Sequence, residues 1–166
     1  EDRLLIVTKS GKIKTQIPDL GMHFPPDLLF IEKWEPKKPL SAVYYDGSKE
    51  KYFGKRFLIE LADKEEVFIK EGSKNELIWF SADWRPVCTL QFTKPRGGEA
   101  KPAQQVSFED FIVPKGIKAM GNQLTTEKLK SIEANVPLPY LPEPEIETAD
   151  IETVVEEVLP LTDEKE

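Results

Sequence analysis

The chain has 166 residues, 39% of them hydrophobic and 32% charged, and a formal net charge of −7. That length suits one domain with a modest core, and no run of about 18 apolar residues is present to span a membrane as a helix. A single cysteine, Cys88, excludes an internal disulfide, and a single histidine, His23, excludes a His-rich metal site.

Charge is distributed unevenly. From Pro137 onward ten Asp/Glu accompany one Lys, a net of −9, whereas residues 1–136 hold 22 basic and 20 acidic residues, a net of +2. These numbers describe a faintly basic domain over 1–136 and an acidic, proline-rich tail over 137–166, expected to be disordered in solution. An acidic total therefore does not exclude a polyanionic partner. The chain starts at Glu1-Asp2 inside a strand pattern, with neither Met nor a basic, apolar leader, as expected of a piece of a longer cytosolic protein.

In chain order, "LLIVT" and "KIKTQI" flank a turn at Ser10-Gly11 and predict a hairpin carrying Lys9, Lys12 and Lys14. Between Leu20 and Leu40, Pro25-Pro26 and Pro36 forbid a central strand through most of the segment, although "LLFIEKW" fits an outer one. "SAVYY" and "KYFGKRFLIEL" flank Asp46-Gly47, where Gly47 is expected to supply a positive φ. In the second strand Phe53, Phe57, Ile59 and Leu61 share a face, with Lys55 intruding on it. "VFIK" and "ELIWF" predict a further hairpin across "EGSKN". "RPVCTLQFT" alternates cleanly, with Cys88 as a small buried hydrophobe rather than a reactive thiol. "QQVSFEDFIVP" reads as a strand, and "KLKSIE" is ambiguous between helix and strand, leaning strand. Trp34, Trp79, Trp84, Phe57, Phe68 and Phe80 are expected in the core rather than as stacking platforms for bases. The fold class is antiparallel all-β.

"DFIVPKGIKAMGNQ", Asp110 to Gln123, reads as a second copy of the opening hairpin, with apolar-Ile-Val, Lys, Gly and Ile-Lys in common. Repeated strand–turn–strand units suggest a propeller-like array. No phosphate-binding loop, recognisable carboxylate pair or metal-ligand cluster is evident, so an enzyme reading is poor. Lysines at turns beside Gly11, Gly47, Gly72 and Gly116 (Lys9, Lys49, Lys70, Lys74 and Lys115) have the spacing for phosphate contacts, although a hairpin lysine more often solvates a turn or guards a sheet edge.

"DRLLIVTKSGKIKT", "YYDGSKEKYFGKRFLIEL" and "DFIVPKGIKAMGNQLT" together resemble the C-terminal β-propeller of the DNA-cleaving subunits of bacterial type IIA topoisomerases, closest to the topoisomerase IV or gyrase type of Bacteroides-like bacteria. The resemblance covers Asp2 to about Glu133. It implies four-stranded blades forming a partial or complete β-propeller. It also implies duplex DNA bound and bent along a basic rim, largely without sequence preference. The implied contacts are Lys9, Lys12, Lys14, Lys55, Arg56, Lys115 and Lys118. "KPRGGEAKP" adds Lys94 and Arg96, but it lacks the Gln-Arg of a gyrase QRRGGKG box and has Glu99 where a basic residue is expected. That departure favours a topoisomerase IV-like role over gyrase-type wrapping. The resemblance further implies no cofactor in this domain, with ATP and Mg2+ serving the parent enzyme. The catalytic tyrosine lies elsewhere, so Tyr44, Tyr45, Tyr52 and Tyr140 are not nucleophiles. A second copy of the DNA-cleaving polypeptide and a separate ATPase polypeptide are the implied partners, with no membrane, in the cytoplasm at the nucleoid. A protein-interaction module of propeller type is the rival reading.

Overall fold

Three hairpins organise the chain, two closed by short polar turns in an alternating apolar pattern and the third by the longer loop 93–103. They are β1 (Leu4–Thr8) with β2 (Lys12–Gln16), β4 (Leu40–Asp46) with β5 (Lys51–Phe57), and β8 (Val87–Phe92) with β9 (Gln104–Ser107). The structure, a computed structural model, describes residues 2–60, 64–72 and 74–141. Each hairpin gains a third strand against its first: β3 (Leu28–Lys33) on β1, β7 (Glu76–Ser81) on β4, and β11 (Leu129–Ala134) on β8.

The fourth strands come from further along the chain. β6 (Glu66–Val67) lies between β5 and β7 in sequence yet pairs with β2, giving the order β3-β1-β2-β6. β10 (Asn122–Thr125) lies between β9 and β11 yet pairs with β5, giving β10-β5-β4-β7. The third sheet, β11-β8-β9, has three strands among the described residues. Each unit thus sends the segment after its hairpin back to finish the sheet before it. The hairpin expected between "VFIK" and "ELIWF" is overturned for this reason: its two strands belong to different sheets.

The middle sheet is apolar on both faces. On one face Leu40, Ala42, Tyr44, Phe53 and Phe57 pack with Leu5, Val7 and Ile13 of the first sheet and with Phe68 and Ile69. On the other, Val43 and Trp79 pack with Cys88, Leu90 and Phe92 of the third sheet and with Val106, Phe108 and Ile112. The sheets therefore stack in chain order, first on second on third. Their third strands converge: Phe30 and Glu32 of β3, Trp79 to Ser81 of β7 and Ala134 of β11 line one cleft of about 130 Å³. That volume is well below the roughly 300–1,000 Å³ of small-molecule sites.

Several expectations hold. The chain is all-β with antiparallel sheets, "LLFIEKW" is an outer strand, and "KLKSIE" is strand. Trp34, Trp79, Phe57, Phe68 and Phe80 belong to the packed interior, whereas Trp84 is half-buried against Tyr140 with ring centroids 4.3 Å apart. Cys88 is fully buried, and burial pushes its thiol up to about 11.

Others do not hold. Asp110–Gln123 is not a second hairpin. It leaves a one-turn helix, α1 (Phe108–Phe111), crosses a loop and enters β10. Pro114 has no N–H to give to a ladder, and the segment instead touches β5 through an isolated bridge between Phe57 and Lys115. Nor does Gly47 take a positive φ; the left-handed residue of that turn is Glu50, at φ 53°. Asp46 holds the turn, its Oδ1 accepting from the N–H and hydroxyl of Ser48 and the N–H of Lys49. Gly47 is needed because Lys74 packs there: a Cβ would lie 2.5 Å from Lys74 Cβ. Leu61 lies outside the described residues, as does the tail from residue 142.

Candidate nucleic-acid interface

Each hairpin turn is tied to the next by hydrogen bonds that backbone N–H groups donate to backbone and side-chain acceptors, so all three tips gather at one end of the stack. The N–H of Phe68 donates to Gly11 O and that of Leu77 to Lys9 O, while the N–H of Gly47 donates to Asn75 Oδ1. Phe68, Asn75 and Leu77 thereby bridge the first tip to the second. The N–H of Thr93 donates to Lys128 O and that of Leu129 to Tyr52 Oη, bridging the second tip to the third.

This end carries Lys9, Lys49, Lys70, Lys74, Lys94, Arg96 and Lys128, all exposed. Among the described residues none of them forms an ion pair. Glu50, Glu71, Glu99 and Glu127 are exposed at the same end. The Lys49 ammonium lies 5.4 Å from the Phe53 ring centroid and 3.0 Å from Met120 Sδ, which leaves it surface-held but solvent-facing. Asp27 at the first tip accepts from the hydroxyl and N–H of Ser10, and these bonds hold its carboxyl below the usual range.

The nine residues singled out from sequence do not form one group. Lys9, Lys94 and Arg96 stand at the tips. Lys12 and Lys14 alternate with buried Ile13, so they face away from the second sheet on the free side of the first, both half-buried. Lys12 pairs with Glu65 at 3.7 Å. Lys115 and Lys118 sit exposed on the loop from Ile112 to Gly121, alongside β5, and Lys115 Nζ donates to Asn122 Oδ1 at 3.3 Å.

Lys55 and Arg56 are not on the exterior. Lys55 is 3% exposed, inside the apolar face on which its sequence position intrudes, and its ammonium donates to the carbonyls of Phe68 and Ile117. Desolvation lowers its pKa to about 8. Those two carbonyls belong to the segments that follow β6 and precede β10, so one side chain pins both returning segments to β5. Arg56, on the opposite face, donates to Trp84 O at 3.0 Å, with its pKa lowered by burial and its Nε unpartnered among the described residues. Sequence alternation marks Lys55 as facing inward; no local signal separates Arg56 from a surface cation. Lys128 escapes the sequence reading because its turn forms only once β10 and β11 part to different sheets.

Among the described residues no cluster of three or more His, Cys, Asp or Glu is placed to hold a metal, and no helix is long and apolar enough to cross a membrane.

Fold and site together define an all-β module of interlocked sheets that presents cations at its hairpin tips. The family model for the topoisomerase C-terminal domain of Bacteroidota matches residues 1–136, and the chain belongs to that family. It is thus an accessory domain of a topoisomerase. No curated protein and no solved structure gives a match.

Proposed function

We propose that this domain binds duplex DNA through the hairpin-tip end, as the non-catalytic C-terminal module of the DNA-cleaving polypeptide of a topoisomerase IV-like enzyme. The observation that carries the reading is the gathering of Lys9, Lys49, Lys70, Lys74, Lys94, Arg96 and Lys128 at one end, free of ion pairs among the described residues. Cations spaced along an edge engage phosphates without reading bases, which suits an enzyme that must accept any duplex. The stacked four- and three-stranded sheets are in keeping with part of a β-propeller, whose tips would form a curved track that bends the duplex. ATP, Mg2+ and the strand-cleaving tyrosine belong to the rest of that enzyme, a dimer of the cleaving polypeptide with its ATPase partner.

Arg96-Gly97-Gly98 stands at a tip, but Glu99 follows it, which favours bending over gyrase-type wrapping. The test is binding to random-sequence duplex DNA across a salt series. Engagement of about five phosphates gives a log–log slope of around −4.5. Neutralising Lys9, Lys49, Lys70, Lys74, Lys94 and Arg96 together should flatten that slope, while neutralising Lys115 and Lys118 should change it little. An unchanged slope in the first variant would move the interface elsewhere. Salt-independent binding would favour a protein partner instead.

A further inference from the structure

The three hairpin tips differ in length and support. The first spans residues 9–11 and the second residues 47–50, and both have other parts of the chain packed against them. A Cβ on Gly11 would lie 2.6 Å from Ile69 Cβ, and one on Gly47 would lie 2.5 Å from Lys74 Cβ. The third tip spans residues 93–103, every one of them exposed. A Cβ on Gly97 at its apex would meet nothing within 4 Å.

This free-standing loop is nonetheless shaped. The N–H of Gly98 donates to Pro95 O at 3.2 Å, Gly97 takes φ 77°, and Arg96 keeps a negative φ. That combination is a type II turn with Arg96 and Gly97 at its centre, so the arginine side chain leaves from the apex. Pro95 and Pro102 restrict the two arms. At the base the N–H of Thr93 donates to Lys128 O at 2.9 Å, and the Lys101 ammonium lies 4.9 Å from the Phe92 ring centroid. Among the described residues Arg96 forms no ion pair, and the other exposed cations of the tips are lysines.

The chemistry of this apex suits a groove better than a row of phosphates. The minor groove of duplex DNA is about 6 Å wide, which admits a turn whose two residues after the arginine carry no side chains. A guanidinium is flat and weakly hydrated, so it enters a narrow groove at less cost than an ammonium does. Runs of A·T narrow the groove and deepen its negative potential, which draws arginine in. Lys94 and Lys101, on the two arms, then face the phosphates along the groove's lips. Glu99 would oppose the phosphates if the whole loop lay flat along one strand; entry by the apex keeps it at the rim.

We propose that the 93–103 loop is a minor-groove probe: Arg96 enters the groove of the duplex held by the tip lysines and biases the domain toward narrow-grooved, A·T-rich DNA. This rests on the proposed binding of duplex DNA at the tips and adds to it a dependence on duplex shape.

The test measures binding of the 166-residue chain to two duplexes of equal length at one salt concentration, one with a central A-tract and one wholly G·C. The expected result is about fivefold tighter binding to the A-tract duplex. The ratio should fall close to one for Arg96→Lys, and for the wild-type chain when distamycin already fills the minor groove. Because the loop is exposed throughout, the substitution leaves the packed core untouched. Equal affinity for the two duplexes, each falling with salt, overturns the probe and leaves phosphate binding by the tips standing. A preference that survives in Arg96→Lys gives the shape reading to another residue and also overturns it. No salt-dependent binding to either duplex removes the proposed function, and this inference with it.

Discussion

Lys55 shows how one side chain fixes both geometry and pH response. Its pKa falls from 10.5 to about 8 because burial disfavours the ammonium. The folded state therefore holds fewer protons than the unfolded one between those values, and stability rises as pH rises through that window. Tyr44 acts oppositely: burial and the nearby Asp46 raise its pKa to about 12, so stability declines above pH 10. Denaturant titrations should show a gain on the order of 2 kcal/mol from pH 8 to 10, and Lys55→Met should remove most of that slope. A flat wild-type profile would mean that the Phe68 and Ile117 carbonyls compensate the burial fully. Alternation alone places Lys55 indoors, since its neighbours at 53 and 57 are buried phenylalanines. Arg56 is misread from sequence because its face is buried by the third sheet, a contact that no local pattern encodes.

At the level of elements, the hairpins are legible because period-2 alternation and turn residues are local. The returning strands are not. β6 is two residues long, and its partner lies 53 residues or more upstream, so "VFIK" and "ELIWF" look like neighbours of each other. The apparent repeat at Asp110–Gln123 fails for a similar reason: Pro114 and a turn of helix break what a letter-by-letter match joins. Gly121 reports the true arrangement, with φ 89° and β5 pressed against it. Gly121→Ala should cost more than about 1 kcal/mol, whereas Gly116→Ala, which meets open space, should stay within about 0.5 kcal/mol. Urea midpoints of the two variants would decide it. The first residues after Pro137 are also held by the domain. The N–H of Leu138 donates to Arg85 O, Arg85 donates to Pro139 O, and Tyr140 lies on Trp84. Tyr140→Ala should therefore cost about 1 kcal/mol by the same urea measurement.

For the whole molecule, ten carboxylates beyond Pro137 are tethered to a domain of net +2. A tethered polyanion competes with DNA at high effective concentration. Truncation after Leu141, which keeps the docked turn, should tighten duplex binding at low salt and leave it unchanged at high salt. Unchanged or weaker binding at low salt would reduce the tail to a solubilising role. Only the family likeness suggests in advance that tip lysines of separate hairpins would meet; charge pattern alone favours solvated turns.

The backward donation of strands also sets a timetable for synthesis. When β2 leaves the ribosome its outer edge has no partner until residues 66–67 emerge, and β5 waits likewise until residues 122–125. Among the described residues, β6 pairs with Lys12 and Ile13 of β2. A nascent chain with such an edge invites intermolecular zippering, and charged side chains at that place discourage it. Lys12 and Lys14, which the finished fold keeps away from the tips, are charged side chains of the kind that discourages such zippering, placed on the strand that waits for its partner.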